Sequence, residues 1–185
     1  MPRLTRYDSD ATIPPRLEAQ IRTLLHAEWP DPGGTGAAQP LTAPELHSVY
    51  FVLADGDQVV SYARTIWAMV SHLRQSFKLY GLGDVITKPD CRRKGYGGQI
   101  VEEATTHIKS DRDADAAVLL TEAKLEALYQ RSGWGYVPGL RVTTGEYDGF
   151  AAGETFPMML FLSPKARAVR ARFPEERLVL QGDEW

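Results

Sequence analysis

The chain has 185 residues, 43% hydrophobic and 24% charged, with a formal net charge of −3. That length suits one well-cored domain over residues 1–185, and the composition is globular and not disordered. A net negative chain is a poor candidate for nucleic-acid binding through bulk electrostatics, and it suits a cationic or amine ligand better. The single cysteine, Cys91, has no internal partner. No apolar run reaches membrane-spanning length and the N-terminus lacks a signal-peptide apolar core, so the expectation is a cytoplasmic protein with no membrane attachment.

In chain order, residues 3–7 read as a short strand. Pro14 and Pro15 fit a helix start, and Leu17, Ile21, Leu24 and Leu25 form a helical stripe that should stop near Trp29, before Pro30. Residues 30–44, "PDPGGTGAAQPLTAP", have no period and read as a mobile loop. His47 to Leu53 and Val59 to Val70 read as strands joined at Asp55-Gly56-Asp57. A turn near Ser71–Ser76 leads to a strand from Phe77 to Thr87. Lys94 to Lys109 carries Ile100, Val101, Ala104 and Ile108 on one helical face. Ala116 to Leu120 is a short strand, and Glu122 to Arg131 a helix ended by Gly133. Strands over Tyr136–Glu146 and Thr155–Leu162 should follow, then a C-terminal extension (163–185) holding the basic "PKARAVRAR", expected as a solvated helix face, with contact to the nucleotide 3'-phosphate or an acidic partner as the alternative.

The stretch "CRRKGYGGQIVEEA" (Cys91 to Ala104) places a basic, glycine-rich loop between a strand and an amphipathic helix. A helix start has unpaired N–H groups and a partial positive charge, and glycine lets a ligand come close to the backbone. Arg92, Arg93 and Lys94 add full charges, so the loop suits a diphosphate. The dinucleotide fingerprint fails because Gly97 is followed three residues later by Ile100, and the P-loop fails because Gly98 is followed by Gln99. Arg92-Arg93-Lys94-Gly95-Tyr96-Gly97 instead has the form R-x-x-G-x-G. Four histidines without paired spacing give no expectation of a metal site.

That hexapeptide resembles the pyrophosphate loop of the GNAT superfamily of acetyl-CoA-dependent N-acetyltransferases. "GDVITKPDCRRKGYGGQIV" is similar to the family's strand-loop-helix unit, and "LYQRSGW" (Leu128 to Trp134) to its second signature. The resemblance covers about residues 45–162. It implies an α/β (α+β) fold with a mixed, mostly antiparallel central sheet flanked by helices and splayed at the cofactor strand. Gly81 and Gly83 mark that strand for a bulge or kink. It further implies acetyl-CoA as co-substrate, held by Arg92, Arg93, Lys94, Gly95, Tyr96, Gly97 and Gly98 and by the strand residues Val85, Ile86 and Thr87. Tyr129 falls where the family often places its general acid. Asp84 is a candidate base, with Glu122, His47 and His72 as alternatives, and a dedicated base is not required.

The chain's last residues, "GDEW", follow an apolar "LVL". They resemble the end of the aminoglycoside 2'-N-acetyltransferases, which implies that Asp183 and the Trp185 carboxylate face a small cationic amine. Two departures are visible. That branch has a glutamate where this chain has Gly83, and it lacks the glycine pair of this loop. Acetylation of a protein or peptide amine, or non-catalytic acyl-CoA sensing, stay open as alternatives, as does a homodimer.

Overall fold

A computed structural model of the chain describes residues 1–30, 41, 47–144 and 156–180. Strand β1 (Arg3–Tyr7) leads to helix α1 (Pro15–Glu28), which Pro14 and Pro15 open as expected. A meander follows: β2 (Val49–Asp55), β3 (Gln58–His72) and β4 (Gln75–Thr87). Next come α2 (Tyr96–Ser110), β5 (Ala116–Thr121), α3 (Glu126–Gln130), β6 (Gly135–Tyr136), β7 (Val142–Thr144), β8 (Phe156–Phe161), α4 (Pro164–Ala168) and β9 (Leu178–Leu180).

Seven strands form the main sheet in the order β1-β2-β3-β4-β5-β8-β6. Every neighbouring pair is antiparallel except β4 with β5, which run parallel. The expected mixed, mostly antiparallel sheet is therefore present. Both faces are covered, as alternation along β5 makes clear. Ala117 and Leu119 pack with Ile100, Val101, Ala104 and Ile108 of α2. Ala116 and Val118 face the opposite way, against Phe173, Leu178 and Leu180. Helix α1 covers the remainder of that second face, setting Ile21 on Val52, Tyr62 and Ile86. Among the described residues no helix is long and apolar enough to cross a membrane.

Several elements depart from the expectations. The β3–β4 turn is only Leu73-Arg74, both left-handed at φ 50° and 59°, so the two strands run on to a His72↔Gln75 pair. The turn is expected near Ser71–Ser76, and it lies within that span. What closes it is tertiary: Leu73 is buried, and its N–H donates to Glu176 Oε2 at 3.0 Å. The expected helix Glu122–Arg131 is split into a 3-10 turn (Ala123–Leu125) and the short α3. The expected strand Tyr136–Glu146 is also two pieces. Pro138-Gly139 breaks it, β6 stays in the main sheet, and β7 leaves to pair in parallel with β9. The expected mobile loop at residues 30–44 lies largely outside the described residues, as do Glu146 and Thr155.

Candidate active site

The parallel pairing of β4 and β5 stops at Gly81↔Val118, although β4 continues to Thr87 and β5 to Thr121. Beyond that point the strands part. The cause is a bulge: Tyr62 pairs Ile86 and Arg64 pairs Gly83, so Asp84 and Val85 together oppose Ala63. Asp84 supplies the turn in the chain, with φ 55°. The sequence pointed to Gly81 and Gly83, but the left-handed residue is the aspartate beside them. Asp tolerates that region better than most residues, and an ion pair holds it there. Arg64 Nε lies 2.9 Å from Asp84 Oδ2. Arg64 is only 7% exposed, and its Nη1 donates to the Leu41 carbonyl at 2.7 Å.

The gap between the strands opens into a cavity of about 440 Å³. Val118 and Leu180 line it from one face of the sheet, Leu119 and Tyr129 from the other, so it runs through the sheet. Its described lining carries the carboxylates of Glu28, Asp84 and Glu122 against one guanidinium, Arg64. Trp29, at the C-terminal cap of α1 and 53% exposed, also borders it. Sequence reasoning missed Arg64, Glu28 and Trp29. A lone arginine inside the apolar run "VVSYARTIW" was the available signal for Arg64. Glu28 and Trp29 had none, since only the tertiary fold brings the end of α1 to β4.

Tyr129 sits on α3 at the cavity wall and is 6% exposed. Burial pushes its phenol above the ordinary value, more than a hydrogen bond with Thr121 lowers it. The group therefore holds its proton at neutral pH and is a donor. Trp134, from the same signature, lies beneath α2 and donates its indole N–H to Thr105 Oγ1 at 2.9 Å.

The glycine-rich loop ends in Gly95, the N-cap of α2, at φ 87°, and Arg93 two residues earlier is also left-handed at φ 63°. Alternating hands of this kind turn successive N–H groups toward one point. No side chain caps α2, so its first N–H groups are left for a ligand. Gly97 has a different reason to be glycine. A Cβ there would come within 3.3 Å of Thr87 Oγ1, so its absence lets the helix start press against the end of β4. Arg93 and Lys94 are exposed and meet no carboxylate among the described residues. Arg92 is otherwise engaged: its Nη2 donates to Glu28 Oε2 at 2.7 Å and its Nε to the Thr87 carbonyl at 3.1 Å. Tyr96 packs on the α2-side core, and Gly98 faces Leu128.

Val85 lines the cavity. Ile86 is buried under α1 and its carbonyl accepts from Ser61 Oγ at 2.8 Å, while Thr87 Oγ1 meets the same hydroxyl at 2.9 Å. From Leu82 to Thr87, β4 has no β5 partner, so one edge of its backbone faces the gap. Of the alternative bases, Glu122 lines the cavity with its carboxylate 2.7 Å from Lys124 Nζ. His47 and His72 do not line it: His47 stacks on Trp67 and His72 bonds the Phe173 carbonyl. Asp183 and Trp185 lie outside the described residues. Leu180, the last described residue, is in the cavity wall.

Known proteins show the same architecture. Escherichia coli YhbS, a GNAT family N-acetyltransferase solved in complex with CoA, is 17% identical, covers 100% of this chain and 92% of its own, and superposes with a TM-score of 0.65. An aminoglycoside 6'-acetyltransferase type Ii is 18% identical over 88% of this chain and 98% of its own (TM-score 0.62). The ribosomal-protein-S18-alanine N-acetyltransferase of Escherichia coli is 17% identical over 87% and 95% (TM-score 0.58). No curated protein matches the sequence significantly. The model of the acetyltransferase (GNAT) domain matches residues 27–137, more than half of the chain and the whole span from the end of α1 past α3, so this chain belongs to the GNAT acetyltransferase family.

Proposed function

We propose that this chain transfers an acetyl group from acetyl-CoA to a primary amine of a small cationic molecule, of aminosugar or aminoglycoside type, by direct attack of the neutral amine on the thioester. The observation that carries this reading is the cavity through the sheet, with Tyr129 in one wall and the uncapped start of α2 beside it. Acetyl-CoA supplies the activated acyl group and a thiol leaving group. The fit is good: left-handed Arg93 and Gly95 aim main-chain donors, and Gly97 brings them against Thr87. The N–H groups from Arg93 to Gly98 would hold the diphosphate, with Arg93 and Lys94 adding charge. The free edge of β4 from Val85 to Thr87 would hydrogen-bond the pantetheine arm as an added strand and aim one amide at the carbonyl. Arg92 serves this loop indirectly, by fastening it to α1 and β4.

Tyr129 keeps its phenolic proton until the sulfur leaves and then donates it there. A phenol, with an ordinary pKa of about 10, can give a proton to a thiolate of about 8.5 when the two are in contact. Asp84 accepts the amine's proton, directly or through water, with Arg64 holding its carboxylate in place. The three carboxylates of the lining are each ion-paired, Asp84 with Arg64, Glu28 with Arg92 and Glu122 with Lys124, so the cationic acceptor rests on the resemblance at Asp183 and Trp185. We assign Asp183 and Trp185 to acceptor binding, on the resemblance of this stretch to the aminoglycoside 2'-N-acetyltransferases.

Thiol release from acetyl-CoA, measured across a panel of aminosugars, aminoglycosides, simple polyamines and N-terminal peptides, tests the proposal. Turnover confined to the cationic small molecules supports it. Turnover on peptides alone would replace the substrate class, and binding of acetyl-CoA with no turnover on any amine would make the chain a sensor.

A further inference from the structure

The basic stretch Pro164–Arg172 sorts its four cations into two kinds. Lys165 Nζ lies 2.7 Å from Asp115 Oδ2 and donates to the Ser76 carbonyl at 2.6 Å. Arg172 Nε lies 3.1 Å from Glu175 Oε2. Arg167 and Arg170 meet no carboxylate among the described residues. Arg167 Nε donates to the Phe161 carbonyl at 3.2 Å, and the Arg170 guanidinium lies over the Phe161 ring at 5.5 Å. Both border a second cavity, of about 320 Å³.

A third cation enters that cavity from another element. Lys109, in the last turn of α2, donates to the Ser132 carbonyl at 2.7 Å, which leaves further N–H donors on its ammonium. One glycine makes room for a cation, and a second adjoins another at ordinary contact distance. A Cβ at Gly133 would lie 3.3 Å from Lys109 Nζ, and one at Gly135 would lie 3.6 Å from a terminal nitrogen of Arg170. No acidic side chain lines this cavity among the described residues. The adjoining cavity shares Lys109 and Gly133 and adds Arg131 and one acid, Glu102. In a chain of net charge −3, three cations converging without an acid is an arrangement for an anion of more than one charge.

We propose that this cavity is a second binding site, for a small phosphate-bearing anion of the di- or triphosphate class. Guanidinium forks match phosphoryl oxygens in geometry as well as charge, and Arg167 and Arg170 are each held by one contact that leaves the remainder of the fork free. The site is separate from the loop before α2. Lys109 lies eleven residues beyond Gly98 on one helix, roughly 16 Å away along its axis.

Titration calorimetry with inorganic tripolyphosphate tests this, using the full chain in low-salt buffer with one equivalent of coenzyme A present to occupy the loop. The expected result is one saturable event that weakens as salt is raised. It should weaken at least about tenfold in Arg167→Gln/Arg170→Gln, while Arg16→Gln, which removes one charge on α1 as each single arginine variant does here, leaves it unaltered. If the double variant does not fold, each single variant should show part of the loss. Absence of saturable heat, equal affinity in the arginine variants, or an equal loss in Arg16→Gln would overturn the proposal. The comparison of variants decides the matter even if coenzyme A does not bind, so this site and the proposed activity fail separately.

Discussion

Arg64 Nε and Asp84 Oδ2, 2.9 Å apart, join the middle of β3 to the residue that bends β4 away from β5. The pair thus holds the bulge that creates the cavity, and it sits where both charges are largely withdrawn from water. Removing one partner of a buried pair costs more than the pair itself contributes, because the other charge is stranded.

Arg64→Met should therefore destabilise the chain by about 2 kcal/mol in urea unfolding, less than for a fully buried pair because the Asp84 side chain keeps 26% exposure. Asp84→Asn on top of it should restore more than half of that loss. Strictly additive penalties would show that the two residues do not act as a unit.

Tyr129→Phe should lower kcat about 100-fold with acetyl-CoA affinity unchanged within about twofold. Because burial raises the phenol above its ordinary value of about 10, the wild-type alkaline limb should not begin below that pH on account of this group. Unchanged turnover in the phenylalanine variant would remove Tyr129 from the chemistry.

Gly95→Val places a β-branched side chain at φ 87°, and Gly97→Val drives one into Thr87. Each should weaken coenzyme A binding at least about tenfold by calorimetry, equivalent to about 1.4 kcal/mol. Gly98→Ala, whose Cβ would make ordinary contact with Leu128 at 3.9 Å, should bind nearly as well as the native chain.

Burial raises the phenols of Tyr62, Tyr80 and Tyr129, with Asp84 adding to the effect at Tyr62 and Asp111 at Tyr80. A raised folded-state value means that the native chain binds the proton more tightly than the unfolded one. The stabilisation is complete below about pH 10 and is lost as the pH rises above it. Unfolding free energy measured from pH 8 to pH 11 should fall in the upper part of that range, less steeply in Tyr80→Phe. A flat profile would contradict the burial of these rings.

The parts of the site legible in the sequence are the local ones. Gly95 and Gly97 announced themselves because a left-handed N-cap and a helix pressed on a strand both require the same residue type within six positions. Tyr129 could be named from its short signature. Asp84 as the centre of the bulge was hidden by two neighbouring glycines that looked better suited, and only Arg64, twenty residues earlier, decides between them. The bond from Arg92 to Glu28 spans 64 positions and leaves no trace in a local pattern, so the tie between the loop and α1 was not legible. The departure of β7 to meet β9 was equally invisible, although Pro138-Gly139 could have warned that one long strand would not form.

A cavity lined from both faces of the sheet predicts a particular pattern of inhibition. A dead-end compound lodged at the α1 side need not obstruct traffic arriving past α3, and the reverse holds too. Double-reciprocal plots for the two classes of blocker should therefore each show competition with one substrate and mixed patterns against the other. A single molecule threading the hole would compete with both.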